Sequence, residues 1–131
     1  MTAGTMAAPH LPAAAPIEAY GDGGFRFAGM SHRGSLLCLP DGIWASPVVS
    51  AGEIDEAALA PVLEGAVPGG GVAHFLIGTG RDLIPLTSAL REAFRRRGIA
   101  VESMSTGAAV RTWNILLGER RRIGALLVAV S

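Results

Sequence analysis

Apolar and polar residues alternate in short runs through the first half of the chain and in longer, helix-spaced runs through the second. Ile17–Tyr20, Phe25–Ala28, Ser35–Leu39 and Ile43–Ala45 read as short strands. Gly21-Asp22-Gly23-Gly24, Gly34 and Pro40-Asp41-Gly42 punctuate them, and tight turns between short strands predict an antiparallel meander. From Ile54 the period changes. Ile54–Gly65 is a helix candidate that Pro61 kinks or splits, with Asp55 and Glu56 suited to its amino end. Val72–Ile77 reads as a buried strand. Leu86–Arg97 places Leu86, Leu90 and Phe94 at i, i+4 and i+8 and ends before Gly98, a helix-terminating glycine. Ile99–Glu102 is the next strand, Thr106–Gly118 the next helix, and Ile123–Val130, apolar throughout, the last strand.

Strand, helix, strand, helix, strand in this spacing predicts βαβ units and a largely parallel sheet. The fold class is α/β, with an antiparallel β layer added by the amino-terminal half. Residues 1–15, rich in Ala and Pro, are expected as a disordered tail, and residues 16–131 as a single domain. A chain of 131 residues buries roughly two-thirds of its unfolded surface, enough for a core without metal or disulfide staples.

Charge narrows the function classes. Eleven basic residues, all Arg, balance eleven acidic ones, so no net field favours nucleic acid. The single Cys38 fits a reducing compartment. No apolar run reaches the ~18 residues of a membrane span. Met1–Pro16 lacks the charge and the apolar core of a secretory signal, so a cytoplasmic location is expected.

Candidate chemistry sits where parallel strands end. Gly78-Thr79-Gly80-Arg81-Asp82 follows one strand, and Met104-Ser105-Thr106-Gly107 leads from another into a helix. Thr79, Gly80, Arg81, Ser105, Thr106, Gly107, Arg111 and Asn114 together could form a small-anion crevice of hydroxyls, guanidinium groups and free helix amides. The plainer reading is that the glycines make turns and Ser105 or Thr106 caps the helix. Gly-x-Gly lacks the third glycine of a dinucleotide loop, and a chain without Lys has no Walker lysine. His10, His32 and His74 have no metal-ligand spacing, and no cofactor is expected. Cys38 lies in an apolar run and reads as an inert buried thiol. Arg91 and Arg95–Arg97 mark a solvated helix face; with Arg120–Arg122 they could also meet an anionic partner or a membrane surface.

Three ordered blocks resemble a known family. They are Tyr20-Gly21-x-Gly23-Gly24-Phe25-Arg26-Phe27 with His32-x-Gly34-Ser35 and Leu39-Pro40-x-Gly42, then Leu76-Ile77-Gly78-Thr79-Gly80, then Glu102 to Leu117 with Arg111-Thr112-Trp113-Asn114. The family is that of mitochondrial NADH:ubiquinone oxidoreductase (complex I) assembly factor 3 and the adipogenesis-associated conserved domain. The resemblance implies a three-layer α/β domain with a mixed central sheet. It also implies a non-enzymatic interaction protein that assists assembly of a membrane respiratory complex. Its partners would be respiratory-complex subunits or a partner assembly factor, met peripherally at the inner membrane. Trp113 stands where the family usually has Tyr or Phe. The alternative is a small-anion or small-molecule binder or enzyme using the crevice.

Overall fold

The computed structural model describes residues 8–64 and 71–131. Strands β1 (Ile17–Gly21), β2 (Gly24–Phe27) and β3 (Met30–Arg33) form an antiparallel meander, as the turns predict. Asp22 and Gly23 both take positive φ, 51° and 80°, and the turn after β2 repeats this with Ala28 and Gly29. Two such residues in succession match the twist of a two-residue hairpin. The sequence pattern does not single out β3. Its residues are half to fully exposed and alternate no apolar side chains, so it is a strand by pairing alone.

The central sheet has five strands in the order β5-β4-β8-β6-β7: β4 (Ser35–Leu39), β5 (Gly42–Ser46), β6 (His74–Gly78), β7 (Ala100–Met104) and β8 (Ile123–Leu127). β6 pairs in parallel with β7 and β8, while β4 runs antiparallel to β5 and β8. The sheet is therefore mixed. The expected antiparallel half divides, with the meander forming its own layer and the Pro40-Asp41 hairpin extending the main sheet. β8, apolar and fully buried, occupies the middle.

Alternation along the central strands feeds two cores. Leu37, Leu39, Phe75, Ile77 and Leu126 face one side. There they meet α1 (Ala60–Leu63) and the Leu90, Ala93 and Phe94 face of α2 (Ser88–Arg96). Leu36, Cys38, Leu76, Ala125 and Leu127 face the other side. There they meet α3 (Thr106–Gly118) through Ala109, Val110 and Trp113, together with Ile17, Phe25 and Phe27 of the meander. Gly78 lets α3 approach β6, because a Cβ there would stand 2.9 Å from the Thr106 Cα.

Most boundaries shift by one or two residues, the last strand ends at Leu127 instead of Val130, and the first two helices differ most from the sequence pattern. The helix expected over Ile54–Gly65 is a 3₁₀ turn at Ala51–Glu53 followed by one turn of α1. Pro61 stands in the first turn of α1, where its missing N–H leaves no intrahelical bond unmade. Gly65 lies outside the described residues. α2 starts at Ser88 instead of Leu86 because the Thr87 hydroxyl accepts the Leu90 amide at 3.2 Å. Residues 8–15, expected as part of a tail, run along the domain. His10 and Leu11 bond the Ile43 backbone on β5, and the Ala15 carbonyl accepts Trp113 Nε1 at 2.9 Å.

Candidate functional site

The loop after β6 and the start of α3 meet at the carboxyl ends of the parallel strands, as their order requires. Thr79 continues the β6–β7 pairing by donating its amide to the Met104 carbonyl at 2.8 Å. Its hydroxyl donates to the Asp82 carbonyl at 2.5 Å and accepts the Ile84 amide at 3.0 Å, which folds residues 79–84 back on themselves. The Thr106 amide donates to the Gly80 carbonyl at 2.8 Å, and its hydroxyl accepts the Gly80 amide at 3.0 Å. The same hydroxyl donates to the Val128 carbonyl at 2.7 Å. Gly80 holds φ 107°, which a side chain would strain. Ser105 caps α3 by accepting the Ala108 amide at 3.3 Å.

The remaining crevice residues disperse. Asn114 holds β1, its Oδ1 accepting the Ile17 amide at 2.8 Å and its Nδ2 donating to the Ile17 carbonyl at 3.0 Å. Gly107 lies under the Tyr20 hydroxyl, which a Cβ at that position would strike, and beside the Arg111 guanidinium. Arg81 is exposed and donates from Nη2 to the Ser131 carbonyl at 3.3 Å. The structure thus interlocks Thr79, Gly80 and Thr106 at the sheet edge and uses Ser105 as a cap. Arg111 sits with Tyr20, Asn114 is committed to β1, and Arg81 faces solvent.

Two concavities stand out among the described residues. One, of about 340 Å³, is walled by Val49, Arg81, Ile84 and the backbone from Val128 to Ser131. The other, of about 460 Å³, lies on the meander between Tyr20, Arg26 and Arg33, where Arg26 is tied to the Ser31 hydroxyl at 2.7 Å. The first is bordered by apolar surface that the sequence pattern does not single out. Val49 is 73% exposed, Leu83 56% and Ile84 45%. The signal for them is Leu83-Ile84-Pro85-Leu86, an apolar run too short and too Pro-broken to join either neighbouring element.

The titratable groups elsewhere have structural surroundings. Burial pushes the Cys38 thiol far above its usual range, so it is not a nucleophile. His32 is pushed down by burial and by its neighbour His10, whose ring centroid lies 4.8 Å away. Its Nε2 is buried without a hydrogen-bond partner. His74 is half-buried and sits 3.7 Å from Glu102. Among the described residues, no three His, Cys, Asp or Glu side chains group as metal ligands, and no helix is long and apolar enough to cross a membrane.

Residues 17–128 match a family model described as protein of unknown function (DUF498/DUF598). An uncharacterised protein of Rhodobacter capsulatus is 38% identical over 120 residues, 92% of this chain and 89% of that protein. NADH dehydrogenase [ubiquinone] 1 alpha subcomplex assembly factor 3 of Rattus norvegicus is 33% identical over 124 residues, 90% of this chain and 62% of the rat protein. The chain therefore spans less than two thirds of that mammalian relative. A crystal structure described as an outer membrane protein from Bartonella henselae superposes with a TM-score of 0.87 at 46% identity, covering 93% of this chain and all of that one.

Proposed function

Because the chain belongs to the DUF498/DUF598 family and is similar to assembly factor 3 of Rattus norvegicus, we propose that it is a non-enzymatic interaction protein. In this reading it assists assembly of a membrane respiratory complex from the cytoplasmic side. Its partners are respiratory-complex subunits or a companion assembly factor.

The observation that carries the reading is the state of the strand ends. In this architecture a ligand pocket forms at the carboxyl ends of the strands. Here the Thr79 and Thr106 hydroxyls are turned inward onto backbone groups. The cleft outside them is lined by the exposed side chains of Val49 and Ile84 together with Arg81, and Leu83, next in sequence to Ile84, is exposed as well. Exposed apolar side chains beside a shallow cleft, with an arginine at the edge, are the ingredients of a protein interface. The test is capture of partners by the tagged protein in its native host, with and without Leu83→Ser and Ile84→Ser. A thermal-shift screen with phosphates, nucleotides and carboxylates separates this reading from small-anion binding, since a ligand at 100-fold over Kd stabilises by about 2.7 kcal/mol.

A further inference from the structure

Both arginine runs end a helix, and the sheet brings the two ends together. β6, β7 and β8 are parallel, so their amino ends share one edge. There the Arg122 carbonyl accepts the Ala73 amide at 3.1 Å, and the Ala73 carbonyl accepts the Ala100 amide at 3.0 Å. Arg122 and Ala100 stand two strand spacings apart, roughly 10 Å. Arg95–Arg97 and Arg120–Arg122, far apart in sequence, thus collect at one end of the molecule, all exposed. This end is opposite the apolar cluster at the strands' carboxyl ends.

The charge there is only partly matched. Glu92 pairs with Arg95 at 2.8 Å and Glu119 with Arg121 at 3.8 Å. Among the described residues, Arg96, Arg97, Arg120 and Arg122 have no acidic partner. Arg122 donates from Nε to the Gly71 carbonyl at 2.6 Å, a bond that holds the side chain without neutralising it. The carboxyl ends of α2 and α3 contribute about half a negative charge each. Helix-dipole compensation therefore accounts for about one of these four positive charges and leaves roughly three.

Backbone geometry fixes how the arginines are presented. α2 and α3 terminate alike, with paired bonds to the helix's last carbonyls: Gly98 to Arg95 and Ile99 to Phe94 in one, Arg120 to Leu117 and Arg121 to Leu116 in the other. This termination needs a left-handed residue, normally glycine. α2 supplies Gly98 at φ 70°, whereas α3 supplies Arg120 at φ 60°. Arg120 thus takes a backbone conformation normally left to glycine.

We propose that this arginine end is a docking surface for the phosphate headgroups of an anionic lipid bilayer. Among the described residues the large exposed apolar side chains are Tyr20, Met30, Val49, Leu83, Ile84 and Ile115, of which only Ile115 stands near these arginines, on the last turn of α3. A protein interface is built on an apolar or aromatic centre, and among the described residues this end offers only the single Ile115. Guanidinium groups spread over a helix-end surface instead match a plane of phosphates, each arginine adding an electrostatic increment. The proposal stands on the gathering of exposed, unneutralised arginines at one sheet edge, independently of the assembly reading.

Co-sedimentation with vesicles tests it. The protein binds vesicles holding about 30% phosphatidylglycerol, not pure phosphatidylcholine, and is released near ~1 M salt, where screening shortens to ~3 Å. Arg120→Gly binds about five-fold more weakly while melting at a higher temperature, so the loss is not a folding defect. Arg96→Gln with Arg97→Gln weakens binding by about 25-fold. Equal binding to both vesicle types, or binding unchanged in these variants, overturns the proposal. So does absence of vesicle binding, and if the same variants then lose a captured protein, the end is a site for an acidic protein surface instead.

Discussion

Thr106 and Gly80 are joined by two hydrogen bonds in opposite directions, amide to carbonyl at 2.8 Å and hydroxyl from amide at 3.0 Å. Together with the 2.7 Å bond from the Thr106 hydroxyl to Val128, they fasten the start of α3 to the ends of β6 and β8. Thr106 is fully buried, so none of these groups can turn to water. Thr106→Val keeps the shape and strands the Gly80 amide and the Val128 carbonyl. We expect a loss of about 3 kcal/mol in urea unfolding, with Thr106→Ser losing far less. A loss in Thr106→Val of less than about 0.5 kcal/mol would contradict the assignment of this hydroxyl to structure.

Asn114 acts as a clamp on β1. Both of its amide atoms bond the Ile17 backbone, one as acceptor and one as donor. Asn114→Ala should destabilise by about 2 kcal/mol and speed hydrogen exchange at Ile17. Asn114→Asp should do no better, because a carboxylate oxygen would then face the Ile17 carbonyl. Exchange at Ile17 unchanged in both variants would remove the clamp from the account.

Arg120→Gly is the substitution expected to raise stability. The φ of 60° carries steric strain for any residue with a Cβ. Glycine relieves it, offset in part by a freer unfolded chain. The net gain is about 0.5–1 kcal/mol, read as a higher urea midpoint at unchanged slope. A lower midpoint would show that the Arg120 side chain contributes packing or pairing that outweighs its backbone strain.

Acid should loosen the fold through His32. Burial first, and then His10, lower its folded pKa below the usual 6.5, against a weaker opposing bond to the Ser35 backbone. The unfolded chain therefore binds this proton more readily than the folded one. Stability from His32 is full above pH ~6.5 and declines as pH falls from there through the lowered folded pKa. His32→Gln should flatten the pH dependence of the urea midpoint in that window. An equal slope in wild type and variant would place the acid sensitivity elsewhere.

Elements with a strong hydrophobic period are legible in the sequence. Thr106–Gly118 is the helix the pattern predicts, and Ser35–Leu39 the strand, because one face or both faces of each are apolar. β3 is not legible, since Met30–Arg33 pairs through backbone alone and presents no apolar alternation. The helix expected from Ile54 is shorter because Pro61 can only open a helix, not continue one. At the candidate site, sequence order correctly brings Thr79 and Thr106 to one edge. It does not reveal that their hydroxyls point at Asp82, Gly80 and Val128 instead of outward, since the Thr106 bonds join segments more than twenty residues apart. Asn114 is misplaced for the same reason, its partner Ile17 lying 97 residues away. Leu83 and Ile84 show in the pattern only as a short run that joins no element, and Val49 not at all, because exposure of an apolar side chain has no sequence period.

The proposed function requires that the chain bind other proteins through the exposed apolar residues at the strands' carboxyl ends. The most direct measurement is quantitative capture from the native host of the tagged wild type against Leu83→Ser with Ile84→Ser. Leu83 is 56% and Ile84 45% exposed, so the melting temperature should fall only slightly. The account predicts respiratory-complex subunits or a companion assembly factor with the wild type, reduced at least ten-fold by the double variant, as expected for losing about 1.4 kcal/mol or more of contact. Equal recovery of those proteins by both forms, or recovery of the wild type alone, would contradict it.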